Sequence, residues 1–191
     1  MAFKNFEKIV EMLKSDLNEE RFSHSLSVAD LAKDLAKKYG ESEDNAYLAG
    51  LLHDCGKCLP IEKQRDLARQ GGAPEEFWQH NKVLHQFAGA VVAWEKYGVS
   101  HQDILGAISY HTTGRAGMTK LEKIIFVADL IEPLREEDNT EVFEAAFEDL
   151  DRAVLMTLDG CLISLIKRGL EINRLSFEAR NYYVNKTKGK D

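Results

Sequence analysis

Proline, cysteine and basic charge are all scarce in this sequence, and each shortage excludes something. Three prolines in 191 residues, with 44% hydrophobic content, leave no proline-rich linker. One well-filled core is the expectation, the chain being short for two. Lysine and arginine number 25 against 32 aspartates and glutamates, a net charge of -7. That balance argues against an extended nucleic-acid groove, while local basic pockets for a small phosphate ligand stay open. Cys55-Gly56-Lys57-Cys58 is a C-x-x-C, but no second pair exists and Cys161 stands apart in the apolar run VLMTLDGCLISLI. Redox or zinc chemistry is therefore not expected, and reduced thiols are. Charges or polar residues interrupt every apolar run short of a membrane span, so a cytoplasmic protein without membrane contact is expected. No segment shows sustained strand alternation, no repeat is visible and no low-complexity linker divides the chain. The pattern that remains is helical, and the expected fold is all-α.

Phe6, Ile9, Val10, Leu13 and Leu17 carry an amphipathic opening helix. Val28, Leu31, Ala32, Leu35, Ala36 and Tyr39 form a stripe on a helix ending near Gly40, with His24 in its first turn or just before it. Ser42 is a candidate N-cap for a helix burying Tyr47, Leu48, Leu51 and Leu52, with His53 and Asp54 at its end. Further helices are expected from Pro60 to Gly71, Leu84 to Tyr97, His101 to His111 and Lys120 to Leu134. Ser100 with Asp103 and Thr119 with Glu122 resemble capping boxes for the last two. Helices at 142–169, broken near Leu150-Asp151, and at 177–184, capped by Ser176, complete a domain expected over residues 1–185. A solvated tail, 186–191, follows. Phe3, Phe6, Phe177, Tyr182 and Tyr183 could serve a homodimer contact, although core packing is the commoner fate of such residues.

Within this helical frame, His24, His53, Asp54, His85, His111 and Asp129 offer four imidazoles and two carboxylates. Transition metals accept that donor set, and a bridging carboxylate would let it hold two cations. Asp129 sits in the apolar run IIFVADLIEP, where an unpaired carboxylate would cost several kcal/mol. Adjacent residues on a helix diverge by more than a quarter turn, so His53 and Asp54 reach one cation best where the helix ends, as Gly56 suggests. His80 and His101 lie in polar surroundings and are set aside. The loop Thr112-Thr113-Gly114-Arg115 is polar and glycine-containing, suited to approach by a phosphate.

The order H, HD, H, H, D resembles the HD-domain metal-dependent phosphohydrolases. More closely, RFSHSLSVADLA, LAGLLHDCGK, HTTGR and VADLIEPLR resemble the YqeK group of bacterial HD proteins, the symmetrical bis(5'-nucleosyl)-tetraphosphatases. These motifs span residues 21–135. The resemblance implies a single-domain HD helical bundle in which His24, His53, Asp54 and Asp129 hold one metal and His85, His111 and Asp54 the second, with Asp54 bridging. It implies iron at both positions, whereas the ligand chemistry also permits manganese, cobalt or zinc in divalent or trivalent form. The expected reaction is attack by a metal-bridging hydroxide on diadenosine tetraphosphate, releasing two ADP. Lys57 and Arg115 are the candidate catalytic cations, with Arg21, Arg135, Thr112 and Thr113 as further substrate contacts. Two alternatives keep the same frame. One is an HD phosphohydrolase acting on a deoxynucleotide or guanosine tetraphosphate, and the other a non-catalytic nucleotide-binding regulator.

Overall fold

A stripe of apolar side chains recurring every three or four residues must be buried, and five helices solve that problem by packing around α7, which is apolar on nearly every side. The computed structural model describes residues 6–135 and 138–188. Among them are ten α-helices and no strand. They are α1 (Phe6–Asp16), α2 (Glu19–Tyr39), α3 (Glu43–Leu52), α4 (Ile61–Gln70), α5 (Leu84–Glu95), α6 (Gln102–Tyr110), α7 (Lys120–Ile131), α8 (Thr140–Glu148), α9 (Leu150–Lys167) and α10 (Arg174–Lys188). A single 3-10 turn covers Glu75–Phe77. The fold is one all-α helical bundle. In α7, Leu121, Ile124, Ile125, Phe126, Val127, Ala128 and Ile131 are all buried, and the helix touches α2, α3, α6, α8 and α9. Each fully buried Leu or Ile contributes about 1.5–3 kcal/mol, so the central helix is held by its side chains more than by its propensity.

The α2–α3 contact is the most extensive between helices of the bundle. A Cβ placed on Gly50 would lie 2.8 Å from the Cα of Ala29, so glycine is what lets α3 lie against α2. Two caps fall where the sequence puts them. Ser42 accepts from the N–H of Asn45, and Thr119 forms a reciprocal capping box with Glu122.

Other boundaries differ from expectation, each for a local reason. Asn18 caps α2 by accepting from the N–H of Arg21 at 2.8 Å, with Glu19 and Glu20 in the first turn. His24 therefore lies in the second turn of α2. Ser100 does not cap α6; His101 holds the N-cap position without a side-chain bond. α7 stops at Ile131 rather than Leu134 because Glu132 precedes Pro133 and takes extended angles, φ -61° and ψ 146°. α10 starts earlier than expected because Asn173 accepts from the N–H of Ser176 at 2.8 Å, which leaves the Ser176 hydroxyl to donate to the carbonyl of Thr113. α10 also runs through Lys188, into the expected tail; Lys186 pairs with Asp151 at 3.0 Å, and 189–191 lie outside the described residues. Of the aromatics considered for a dimer contact, Tyr183 is fully buried, Phe177 and Tyr182 are exposed, and Phe3 lies outside the described residues. Among the described residues no helix is long and apolar enough to cross a membrane.

Candidate metal centre

Five helices deliver the six ligand candidates to one place. Arg21 and His24 are three residues apart on α2 and share a face. His53 is the C-cap of α3, where the chain leaves the helix in successive turns, so His53 and Asp54 both turn inward and both are buried. The turn is pressed on α5: a Cβ on Gly56 would come within 2.8 Å of the backbone nitrogen of Gly89. That contact seats His85, in the first turn of α5, against Asp54. His111 is the C-cap of α6 and Asp129 projects from the last turns of α7.

The donor atoms of His24, His53 and Asp129 lie within 4.8 Å of one another, and so do those of His53, Asp54 and His111. His53 belongs to both groups. His85 adjoins the second, its Nε2 3.4 Å from Asp54 Oδ1 and 3.2 Å from His111 Nε2. The Nδ1 of His24 meets the Glu132 carboxylate at 3.0 Å, that of His53 meets the Gly50 carbonyl at 2.7 Å, and that of His111 meets the Ile108 carbonyl at 2.8 Å. Each of these partners accepts, so each Nδ1 carries the hydrogen and each Nε2 presents a lone pair inward. Yet His24 Nε2 and His53 Nε2 face one another at 3.2 Å, and His53 Nε2 stands 3.8 Å from Asp54 Oδ2. Asp54 Oδ1 is buried without a hydrogen-bond partner. Lone pairs and carboxylate oxygens converging in a buried space repel unless a cation lies among them, so these residues fit a pair of metal ions. They form two clustered metal-binding sites.

Electrostatics prepare the ligands in the forms a metal requires. Burial pushes the His53 imidazole down to about 4, against the pull of Asp54 and Asp129, so it is neutral at pH 7. Burial and the neighbouring His111 and Lys57 lower His85 as well. Burial alone would favour protonated carboxyls, but the surrounding imidazoles hold Asp54 and Asp129 well below the usual carboxylate range. His24 moves the other way: the Asp129 and Glu132 carboxylates outweigh its desolvation and raise it.

Three cations ring the cluster. Arg21 Nη1 is 3.1 Å from Asp54 Oδ2, Arg135 donates to Asp129 Oδ1 at 2.7 Å, and Lys57 Nζ lies 3.0 Å from His85 Nε2. The Thr112 hydroxyl is 3.0 Å from the Nε2 of both His85 and His111. Thr113 is buried and joined to the buried Gln86, whose Oε1 accepts from both threonine N–H groups at 3.2 Å. The structure does not bring Arg115 to the cluster. Its guanidinium donates twice to the buried Glu122, at 2.9 Å each, and stacks on Tyr110. Two residues that sequence reasoning missed support the centre: Glu132 behind His24, and Gln86 behind the threonine loop. Glu132 stands within the ADLIEPLR motif and Gln86 directly follows His85, so proximity to a motif was the available signal. A cavity of about 500 Å³ lined by Arg21, His24, Glu132 and Arg135 opens on the site.

An all-α bundle whose helix ends converge four imidazoles and two carboxylates defines a metal-dependent hydrolase of the His-Asp type. The HD domain family model matches residues 21–134, and the chain belongs to that family. It is 34% identical over 183 residues to a symmetrical bis(5'-nucleosyl)-tetraphosphatase of Bacillus subtilis, covering 95% of this chain and 98% of that one. A protein of the same description from Staphylococcus aureus is 33% identical, covering 94% of each chain. A crystal structure from Clostridium acetobutylicum, described as a predicted HD superfamily hydrolase involved in NAD metabolism, superposes with a TM-score of 0.90 at 41% identity, covering 95% of this chain and 97% of that one.

Proposed function

We propose that this chain hydrolyses diadenosine tetraphosphate symmetrically to two ADP. The observation that carries the proposal is Asp54 Oδ1, buried and without a hydrogen-bond partner between the Nε2 atoms of His85 and His111 at 3.4 and 3.5 Å. A carboxylate so placed is suited to bridge two cations. When bound, such a pair supplies an acidified water as nucleophile and neutralises charge on the phosphoryl oxygens, and the donor set accommodates iron, manganese, cobalt or zinc.

The chain's own groups then divide the remaining work. Arg21, Lys57 and Arg135 lie where a polyphosphate reaching the centre would meet them, and their charge would offset its negative oxygens. Burial lowers the Lys57 ammonium, so an incoming phosphate would restore its preference for the charged form. Thr112 can donate its hydroxyl to a phosphate oxygen, and Gln86 fixes the backbone that carries it. Arg115 has another role in this geometry, tying the loop to α7 through Glu122. The substrate assignment is supported by the names of the Bacillus and Staphylococcus relatives, which match over nearly full length.

Purified, metal-loaded protein given diadenosine tetraphosphate should release ADP as its sole nucleotide product. AMP with ATP, or no cleavage, would overturn the assignment. Asp54→Ala should abolish turnover and deplete bound metal.

A further inference from the structure

A second cavity of about 500 Å³ adjoins the centre, lined by residues of α7, α8 and α9 and of the segments around His80, Thr112 and Asn173. It differs from the polar opening beside His24. Its walls combine the apolar Leu130, Val142, Met156 and Leu165 with polar groups, among them Asn139, Ser164, Arg168 and Asn173, and Gly160 lines it from α9. Its inner rim is made by Thr112 and Arg135, the residues that contact His111 and Asp129. A Cβ on Gly160 would meet nothing within 4 Å, so no packing within the chain requires glycine there. Glycine inside a helix is nonetheless less stable than alanine, and here it keeps the floor of the cavity open.

We infer that this cavity holds the base and ribose of one nucleotide arm while its phosphates lie on Thr112 and Arg135. The volume falls in the range that encloses a small organic ligand, and the apolar part of the wall with its polarizable Met156 thioether suits a flat ring. The cationic rim lies at the metal centre, while the walls offer both apolar surface and the hydrogen-bonding side chains of Asn139, Ser164 and Asn173 to a base and ribose. Inorganic polyphosphate would satisfy the rim and leave the walls unused. The assignment rests on the nucleotide polyphosphate reading and adds the place where nucleoside is told from bare phosphate.

The test compares ADP with methylenediphosphonate, a diphosphate that lacks a nucleoside and resists hydrolysis, on protein loaded with diamagnetic zinc. The chain has four methionines, so labelled methyl groups give a spectrum in which Met156 can be assigned by substitution. ADP should shift the Met156 methyl and methylenediphosphonate should leave it in place. Gly160→Phe, retaining its metal, should weaken ADP binding at least tenfold while methylenediphosphonate affinity stays within threefold. If ADP binds, leaves Met156 unmoved and binds Gly160→Phe as it binds the parent, the nucleoside lies elsewhere. The inference then fails and the polyphosphate reading stands. If ADP binds no better than methylenediphosphonate and diadenosine tetraphosphate yields no ADP, both fail together.

Discussion

At the scale of single residues, the centre depends on which imidazole nitrogen carries its hydrogen. His53 and His111 settle this locally, by donating Nδ1–H to carbonyls three residues earlier, as a histidine at a helix end can. His24 sits inside α2 and has no such carbonyl partner, so the task falls to Glu132, 108 residues away. Groups behind a metal ligand typically change metal affinity by 10–100-fold when removed. Glu132→Ala should therefore raise the metal dissociation constant by roughly that factor in a chelator competition, and Glu132→Gln, which keeps an acceptor, should recover part of it. Equal affinity in Glu132→Ala and the parent would show that His24 needs no orienting partner. The ligands themselves were legible because their chemistry is unusual in apolar helices, as with Asp129. Glu132 was not, because an acid before a proline at a helix end is ordinary until the fold brings His24 to it.

At the scale of elements, the turn that follows α3 is registered on α5 by two glycine backbones. Gly56 lies so close to Gly89 that a Cβ would stand 2.8 Å from the Gly89 nitrogen and 3.0 Å from the His85 carbonyl. Neither neighbour is a flexible side chain that could yield. Gly56→Ala should push the His53-Asp54 turn off α5, lower stability by about 1–3 kcal/mol in urea unfolding and reduce metal retention. Unchanged stability and metal content would mean that the turn adapts. In the sequence Gly56 reads only as a helix terminator, since a glycine demanded by another segment looks the same as one demanded by a turn. The helices were legible for the converse reason: periodic apolar residues and the Ser42 and Thr119 caps are local signals. Misplaced boundaries followed where the deciding group was an asparagine, Asn18 or Asn173, lying outside the apolar stripe that marked the helix. The loop holding Arg115 shows the same limit, because its partner Glu122 was legible only as half of a capping box.

At the scale of the whole molecule, a bundle that buries imidazoles and carboxylates without metal depends on pH. His53 has a folded value near 4 against 6.5 ordinarily, so between those values the unfolded chain binds a proton that the folded chain excludes. Its effect is a loss of stability as pH falls from about 6.5 toward 4, and the lowered His85 acts in the same direction. His24, raised by its carboxylate partners, opposes this with stability that is present at acid pH and lost as pH rises. The depressed Asp54 and Asp129 add their loss only as the carboxylate range is entered. Metal-free protein should thus be less stable at pH 5 than at pH 7.5, by on the order of 2 kcal/mol in urea midpoints, and a constant midpoint would contradict the burial of neutral His53. The central claim, that six residues from five helices build a two-metal centre for nucleotide polyphosphate cleavage, is tested most directly by titrating metal-free protein with manganese while following diadenosine tetraphosphate turnover. The account predicts activity rising to a plateau at about two equivalents per chain, with ADP as the nucleotide released. Turnover without metal, or a plateau at one equivalent, would contradict it.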